Sequence, residues 1–254
     1  MKSILLTFDL EEFDLPREFN QTISDEKMYS ITKNGLDSLT RLLSKYKIKA
    51  TFFTTANFAK KYPALIRELS EKYEIASHGY SHSETFSFER LKQAKKEKEK
   101  IIGKEINGYR APRFQIQIKE LCGLNFKYDS SIHPTWLPGR YFNLFEKRKE
   151  YDLEDIIEIP PSTLPLVRLP IFWLAFKNFP LVYSKFFTKL NFVSSNYTMI
   201  IMHPWEFSND ITKFEIPFYI KRNPGKLHKK FENYIKFCLN KKYSFSTISD
   251  YLKL

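Results

Sequence analysis

Two cysteines, Cys122 and Cys238, are all that the 254 residues contain, and they follow no metal-binding spacing. That excludes a disulfide framework and leaves two reduced, largely buried thiols in a reducing compartment as the expectation. Glycine is also scarce, at 7 residues. No apolar run reaches the roughly 18 residues that a membrane-spanning helix needs. The run from Ser3 to Phe8 is too short for a secretory signal. The expected location is therefore cytoplasmic, with a peripheral place on the inner face of the membrane as a further option. Acidic residues are outnumbered, 29 against 41 Lys and Arg, which gives a net charge of +12. An excess of this kind concerns partners and solubility, not fold. Nucleic acid, an anionic membrane face or a phosphate-bearing substrate would each suit it. No nucleic-acid-binding motif is present, so nucleic acid is not expected as a partner.

What is present is enough apolar material for a sizeable core: 43% hydrophobic residues, with 24 Phe and 15 Tyr. The length suits one domain over residues 1–254, and an α/β barrel of about 250 residues fits it. Ser3 to Phe8 reads as a buried strand ending in carboxylates. Asp25 to Lys47 reads as an amphipathic helix with Ile31, Leu36, Leu39, Leu42 and Leu43 on one face. Ala50 to Thr55 and Glu74 to Ser77 read as strands, and Pro63 suits the first turn of a helix ending at Lys72. Ser87 to Gly103 reads as a charged helix stopped by its glycine, its Lys/Glu run forming a solvated face. Gly108 to Arg110, the neighbourhood of Tyr128, Asp155 to Pro160 and Tyr197 to Met202 supply further strands, and Leu227 to Leu239 a last helix. Strands alternating with helices predict a mainly parallel sheet or barrel. No repeat, low-complexity tract or linker interrupts the pattern.

The polar residues of interest fall at predicted strand ends, which converge on one face in a β/α barrel. Histidine is scarce, and two of the five stand in His78-Gly79-Tyr80-Ser81-His82. On a helical turn, a spacing of four places two rings on one side. Two imidazoles and a carboxylate make a common site for Zn²⁺ or a similar ion, although such pairs also arise as plain surface or capping histidines. Asp9 and Glu11 point the same way on an extended backbone. Beside a metal, one carboxylate can ligate while the other takes a proton from bound water, whose pKa the metal lowers toward about 7. The bland alternative is an acidic loop solvated at a strand end.

Thr7-Phe8-Asp9, His78 to His82, Gly108-Tyr109-Arg110-Ala111-Pro112, Tyr128-Asp129-Ser130-Ser131 and Ile201-Met202-His203-Pro204-Trp205-Glu206 occur in a telling order. In that order the chain resembles the polysaccharide deacetylases, the NodB homology domain or carbohydrate esterase family four. The resemblance implies a single-domain distorted (β/α) barrel of the NodB type and metal-dependent deacylation of an amino sugar, within synthesis of a cell-surface polysaccharide or glycolipid. By position, Asp9 resembles the catalytic base, His78 and His82 the metal ligands, and Arg110 the arginine that orients the base. His203 resembles the general acid, and Asp129 a motif aspartate that would hold His203 protonated. Trp136, Trp205 and Pro112 are candidates to wall the substrate pocket, although both tryptophans also suit an ordinary core. The usual Thr-Phe-Asp-Asp-Gly is broken by Leu10, so the chain is similar to Asp-x-Glu variants. Glu11 then becomes the third ligand, with Glu12 as the fallback. The implied cofactor is a divalent metal, zinc first, with cobalt, nickel or iron as alternatives.

Residues 159–205 contain no acidic residue, and they interleave Arg168, Lys177, Lys185 and Lys189 with many aromatics. Core packing with a few solvated lysines is one reading; an interfacial element against an anionic membrane is the other. The expected partner is a saccharide, lipid- or nucleotide-linked. Two other functions remain open: a deformylase or other C–N hydrolase on the same barrel, and a non-catalytic carbohydrate- or membrane-binding relative.

Overall fold

The computed structural model describes residues 2–83, 87–115, 121 and 123–254; Cys122 lies outside them. Eleven strands are described: β1 (Ser3–Leu10), β2 (Thr51–Thr54), β3 (Glu74–Ser77), β4 (Gly108–Tyr109), β5 (Tyr128–Asp129), β6 (Trp136–Leu137), β7 (Tyr141–Phe142), β8 (Tyr151–Leu153), β9 (Ile156–Glu158), β10 (Tyr197–Met202) and β11 (Ser244–Phe245). The main sheet runs β10-β1-β2-β3-β4-β5-β9-β8, with β11 also on β1. Every pairing in it is parallel except β8 with β9. This is the expected α/β architecture, a curled and distorted β/α barrel. The predicted strands are recovered within a residue or two. The β6–β7 hairpin, β8 and β11 were not anticipated, being two or three residues each and too short for a periodic signal.

β1 is buried at all eight positions because strands lie on both sides and layers on both faces. Its alternation sorts the residues. Ile4, Leu6, Phe8 and Leu10 pack into the large core shared with the helices. Leu5 joins Phe53, Tyr128, Met199 and Ile201 in the barrel interior. The same period of two puts Asp9 inward at the strand's C-terminal end.

The Asp25–Lys45 helix begins at Ser24, whose hydroxyl accepts from the Lys27 N–H at 3.3 Å. Its buried face contains the five expected aliphatics. It also contains Gly35, and there a Cβ would lie 2.0 Å from the Pro204 carbonyl oxygen. The helix backbone thus presses directly on the segment that follows β10. The Phe88–Ile102 helix ends at Gly103, which adopts the left-handed conformation expected of a stop. Its Lys/Glu run departs from the predicted solvated face at two points, Lys95 and Lys98, both of which are buried. Lys98 is fully buried, and its Nζ donates to Thr54 O at 2.8 Å, Ser77 Oγ at 2.7 Å and Gly79 O at 3.1 Å. Burial pulls its pKa down to about 7. Three acceptors match three ammonium N–H groups, so a lysine here ties the ends of β2 and β3 together.

Gly35→Ala has no room to relax except by moving main chain. It should cost about 1–3 kcal/mol, as overpacking usually does. Denaturant melts would measure this, and an unchanged midpoint would contradict the close packing.

Candidate active site

The C-terminal strand ends open into a cleft of about 710 Å³ lined by Asp9, Glu11, His78, His82, His203 and Trp205, among others. Arg110 stands beneath it with no exposed surface. Its Nη1 donates to Asp9 Oδ1 at 2.8 Å and to Thr7 Oγ1 at 3.0 Å. Its Nε donates to Ser130 O, its Nη2 to Ser130 Oγ, and the guanidinium lies 4.0 Å from the centroid of the Phe53 ring. Asp9 is therefore fixed by a charge-assisted bond, with Oδ2 4.0 Å from His203 Nε2.

His78 and His82 converge, but not on a helix. Residues 78–83 form a turn in which Gly79 has φ of +72°, and the two rings stand 6.5 Å apart. Glycine supplies that left-handed step without strain. Each ring has its Nδ1 engaged: His78 with Arg110 O at 2.9 Å, His82 with Asp14 Oδ1 at 2.9 Å. Each turns Nε2 toward the same oxygen, Glu11 Oε2, at 3.2 Å and 3.6 Å. Glu12 points elsewhere, accepting from Thr55 Oγ1 and Asn57 Nδ2. Of the two carboxylates considered for the site, Glu11 is the one facing both histidines. Burial alone would raise the Glu11 pKa; the facing imidazoles, His82 foremost, outweigh it and hold it down at about 2. Burial alone would lower His82; Glu11 and Asp14 outweigh it and lift it to about 9.

Among the described residues, no group of three or more His, Cys, Asp or Glu side chains stands in an arrangement that could hold a metal ion. The donor chemistry nevertheless fits one. A carbonyl and a carboxylate can only accept, so both Nδ1 atoms carry hydrogen, and each ring, whenever it is neutral, presents its lone pair at Nε2. Two lone pairs facing a carboxylate oxygen need a proton or a cation between them. Ligands about 2.0–2.1 Å from a tetrahedral ion lie roughly 3.3 Å apart, close to these separations. Acceptors behind ligating histidines are also the usual orienting partners.

His203 stands beside this group, its Nε2 3.7 Å from Glu11 Oε1, and is stacked on Trp205 at 4.8 Å and met edge-on by Trp173. The carboxylate behind it is Glu206, with Oε1 3.2 Å from Nδ1 and accepting the His203 backbone N–H at 2.8 Å. Lys177 Nζ lies 3.9 Å from the other Glu206 oxygen. Burial opposes the charged ring, but Glu206, Glu11 and Asp9 raise the His203 pKa. Asp129 does not fill the position expected of it. It accepts from Ser131 N and Oγ, and the Ser131 hydroxyl accepts from Ala111 N, so Asp129 braces the chain beside Arg110. Burial raises its pKa, and Glu158, its neighbour in register on β9, is pushed well above the carboxylate range.

Two proposed wall residues also need correcting. Trp136 is 57% exposed and points away, because alternation along β6 turns Leu137 to the cleft instead. Pro112 packs behind the Gly79 turn and is not among the cleft lining. Trp205 does line the cleft, with Nε1 3.4 Å from Glu11 Oε1. Asp14, Glu206, Trp173, Arg113 and Arg140 were missed. Asp14 ends the acidic run begun at Asp9, and Glu206 lies three residues after His203, so spacing offered a signal for both.

The fold is that of the NodB-type deacetylases. Residues 1–117 match the family model for polysaccharide deacetylase. No curated protein matches the chain in sequence. Among solved structures, a protein of Mycobacterium smegmatis assigned to the polysaccharide deacetylases superposes with a TM-score of 0.66 at 16% identity, over 99% of this chain and 90% of that one. Puue allantoinase gives 0.64 at 15% identity, over 98% and 87%. A carbohydrate esterase family four pseudoenzyme of Bacillus anthracis gives 0.54 at 11% identity, over 98% and 64%. The family match covers the first 117 residues; the superpositions, at these identities, speak to the fold.

In the metal-free protein, Glu11 is stabilised by ionising in the folded state and His82 by protonating there. The Glu11 contribution needs a pH above its ordinary 4.5 and fades as pH falls through about 2. The His82 contribution is full below its ordinary 6.5 and is lost as pH rises through about 9. The stability difference between wild type and Glu11→Gln, measured after chelation, should thus peak between these ordinary values and shrink toward pH 9. A difference that grows with pH would refute this electrostatic picture.

Proposed function

We propose that the chain is a metal-dependent hydrolase removing an N-acetyl, or O-acyl, group from an amino sugar. The observation that supports this most is the meeting, within one cleft, of the Glu11–His78–His82 group with the Arg110–Asp9 and Glu206–His203 pairs, His203 Nε2 lying 3.7 Å from Glu11 Oε1. Glu11, His78 and His82 would hold the divalent ion, zinc being the first choice for two imidazoles and a carboxylate. When bound, such an ion polarises an acyl carbonyl and lowers the pKa of a water.

The chain's own residues supply the proton transfers. Asp9 is oriented by Arg110, so Oδ2, the oxygen free of Arg110, can accept the proton of the attacking water. His203, with Glu206 stabilising its protonated ring, holds a proton at Nε2 on the cleft side. That proton passes to the departing amine as the C–N bond breaks, and the acid product leaves. Trp205 and Trp173 fix the ring plane and exclude water from behind it. Arg140 at the rim suits a substrate with an anionic portion, such as a lipid- or nucleotide-linked sugar, whereas Arg113 is paired there with Glu18.

A deformylase or another C–N hydrolase would use the same groups, and the allantoinase of similar fold shows that such a barrel serves more than one amide. Product analysis separates these readings, acetate against formate or a ring-opened acid.

Asp9→Asn should lower kcat by at least about 10²-fold, as loss of a general base does, while bound zinc stays stoichiometric by elemental analysis. Glu11→Gln should instead lose the metal. Activity surviving Asp9→Asn would overturn the base assignment.

A further inference from the structure

A second cavity, of about 560 Å³, lies apart from these groups. The turn from the Trp173–Asn178 helix into the Leu181–Ser194 helix forms one wall, and the start of the Pro224–Asn240 helix forms the other. Its lining carries Arg222, Lys226, Lys230 and Lys177, and no acidic residue. Lys230 donates to the carbonyls of Phe176 and Phe179, and Arg222 donates to Asn178 O at 3.1 Å. These bonds fix two cations in place without neutralising them. Among the described residues, Arg222, Lys226 and Lys230 have no carboxylate within ion-pair distance. Elsewhere on the surface, pairs such as Lys33–Asp37 and Lys45–Glu232 do form. Burial, and then Arg222, lower the Lys230 pKa to about 8, as expected where like charges crowd.

The surface beside this cavity is apolar where a solvated helix would be polar. Along the Leu181–Ser194 helix, the exposed positions are Val182, Phe186, Lys189 and Val193. Their spacing of four, three and four makes one stripe. Val182 and Phe186 are 69% and 59% exposed, and Phe218, just before Arg222, is 72% exposed. A second copy of the chain would set cations against cations here. A nucleic-acid backbone would leave the valines without an apolar partner. An anionic bilayer meets both needs, with phosphates for the cavity and acyl boundary for the stripe.

We propose that the Arg222–Lys226–Lys230 cavity and the Val182–Phe186–Val193 stripe together form a docking face for an anionic membrane surface. This face is independent of the chemistry proposed for the cleft. The full chain would be sedimented with vesicles of phosphatidylcholine alone and of two parts phosphatidylcholine to one part phosphatidylglycerol. Wild type should bind the mixed vesicles at low salt, bind the neutral ones far less, and release at high salt. Arg222→Glu with Lys226→Glu should weaken binding by at least about tenfold, each lost cation counting for about fivefold. Val182→Ser with Phe186→Ser should weaken it too, although the charge is unchanged. All the altered side chains are exposed, and circular dichroism would verify the fold. Hydrolysis of a soluble amino-sugar oligomer should be the same in both variants, so a failure of docking and a failure of the deacetylase reading give different results. Equal binding to neutral vesicles, binding insensitive to both variants, or a dimer abolished by the Val182 and Phe186 changes would each overturn the proposal.

Discussion

Arg110 brings a full charge into the barrel, and Asp9 is what makes that tolerable. Removing one partner of such a buried pair costs about 3–5 kcal/mol, because the other is left uncompensated in a poor solvent. Around the guanidinium, Thr7, Asp9, the Ser130 carbonyl and hydroxyl and the Met199 sulfur answer its donors. Those partners come from β1, from the segment after β5 and from β10. One side chain thereby holds separate strands in register and sets the angle of the carboxylate above it. A lysine has neither the reach nor the planar fork to do both. His133, buried behind it, is held neutral, since burial and then the charge of Arg110 push its pKa down to about 3.

The remaining geometry follows from a parallel sheet with its polar residues at one edge. Asp9, His78, Arg110 and His203 stand as much as 194 positions apart in sequence, yet each falls at or just after a strand's C-terminal end. Local devices then set the finer aim. The Gly79 turn, with Lys98 gripping the Gly79 carbonyl and the Ser77 hydroxyl before it, points two imidazoles at one oxygen. The bare backbone of Gly35 lets the Asp25–Lys45 helix seat Pro204, and with it Trp205 and Glu206 behind His203.

Much of this was readable from the sequence, for identifiable reasons. Ser3–Leu10, Glu74–Ser77 and Tyr197–Met202 are apolar and end on polar residues, which marks both strand and site. The Pro63–Lys72 and Phe88–Ile102 helices announce their ends with Pro63 and Gly103. What escaped detection depends on tertiary contact. Lys98 looks like any lysine of a charged helix until two carbonyls and a hydroxyl surround it. Asp129 carries the right motif but is drawn to Ser131, while Glu206, closer in sequence to His203, takes the place expected of it. Trp136 and Leu137 are adjacent, and only the pairing of β6 with β7 decides which one enters the cleft.

The chemistry is also divided unevenly along the chain. Asp9, Glu11, Asp14, His78 and His82 all belong to β1, β3 and the turns just after them, inside the span that matches the family. His203 and Glu206, with the tryptophans around them, come from beyond residue 117. The cluster facing the Gly79 turn thus comes from the first part of the chain, and the wall that meets it at Glu11 is furnished separately. A chain built this way can change what lies over the acceptor side of its cleft, and so what it admits, without disturbing the residues on the other side.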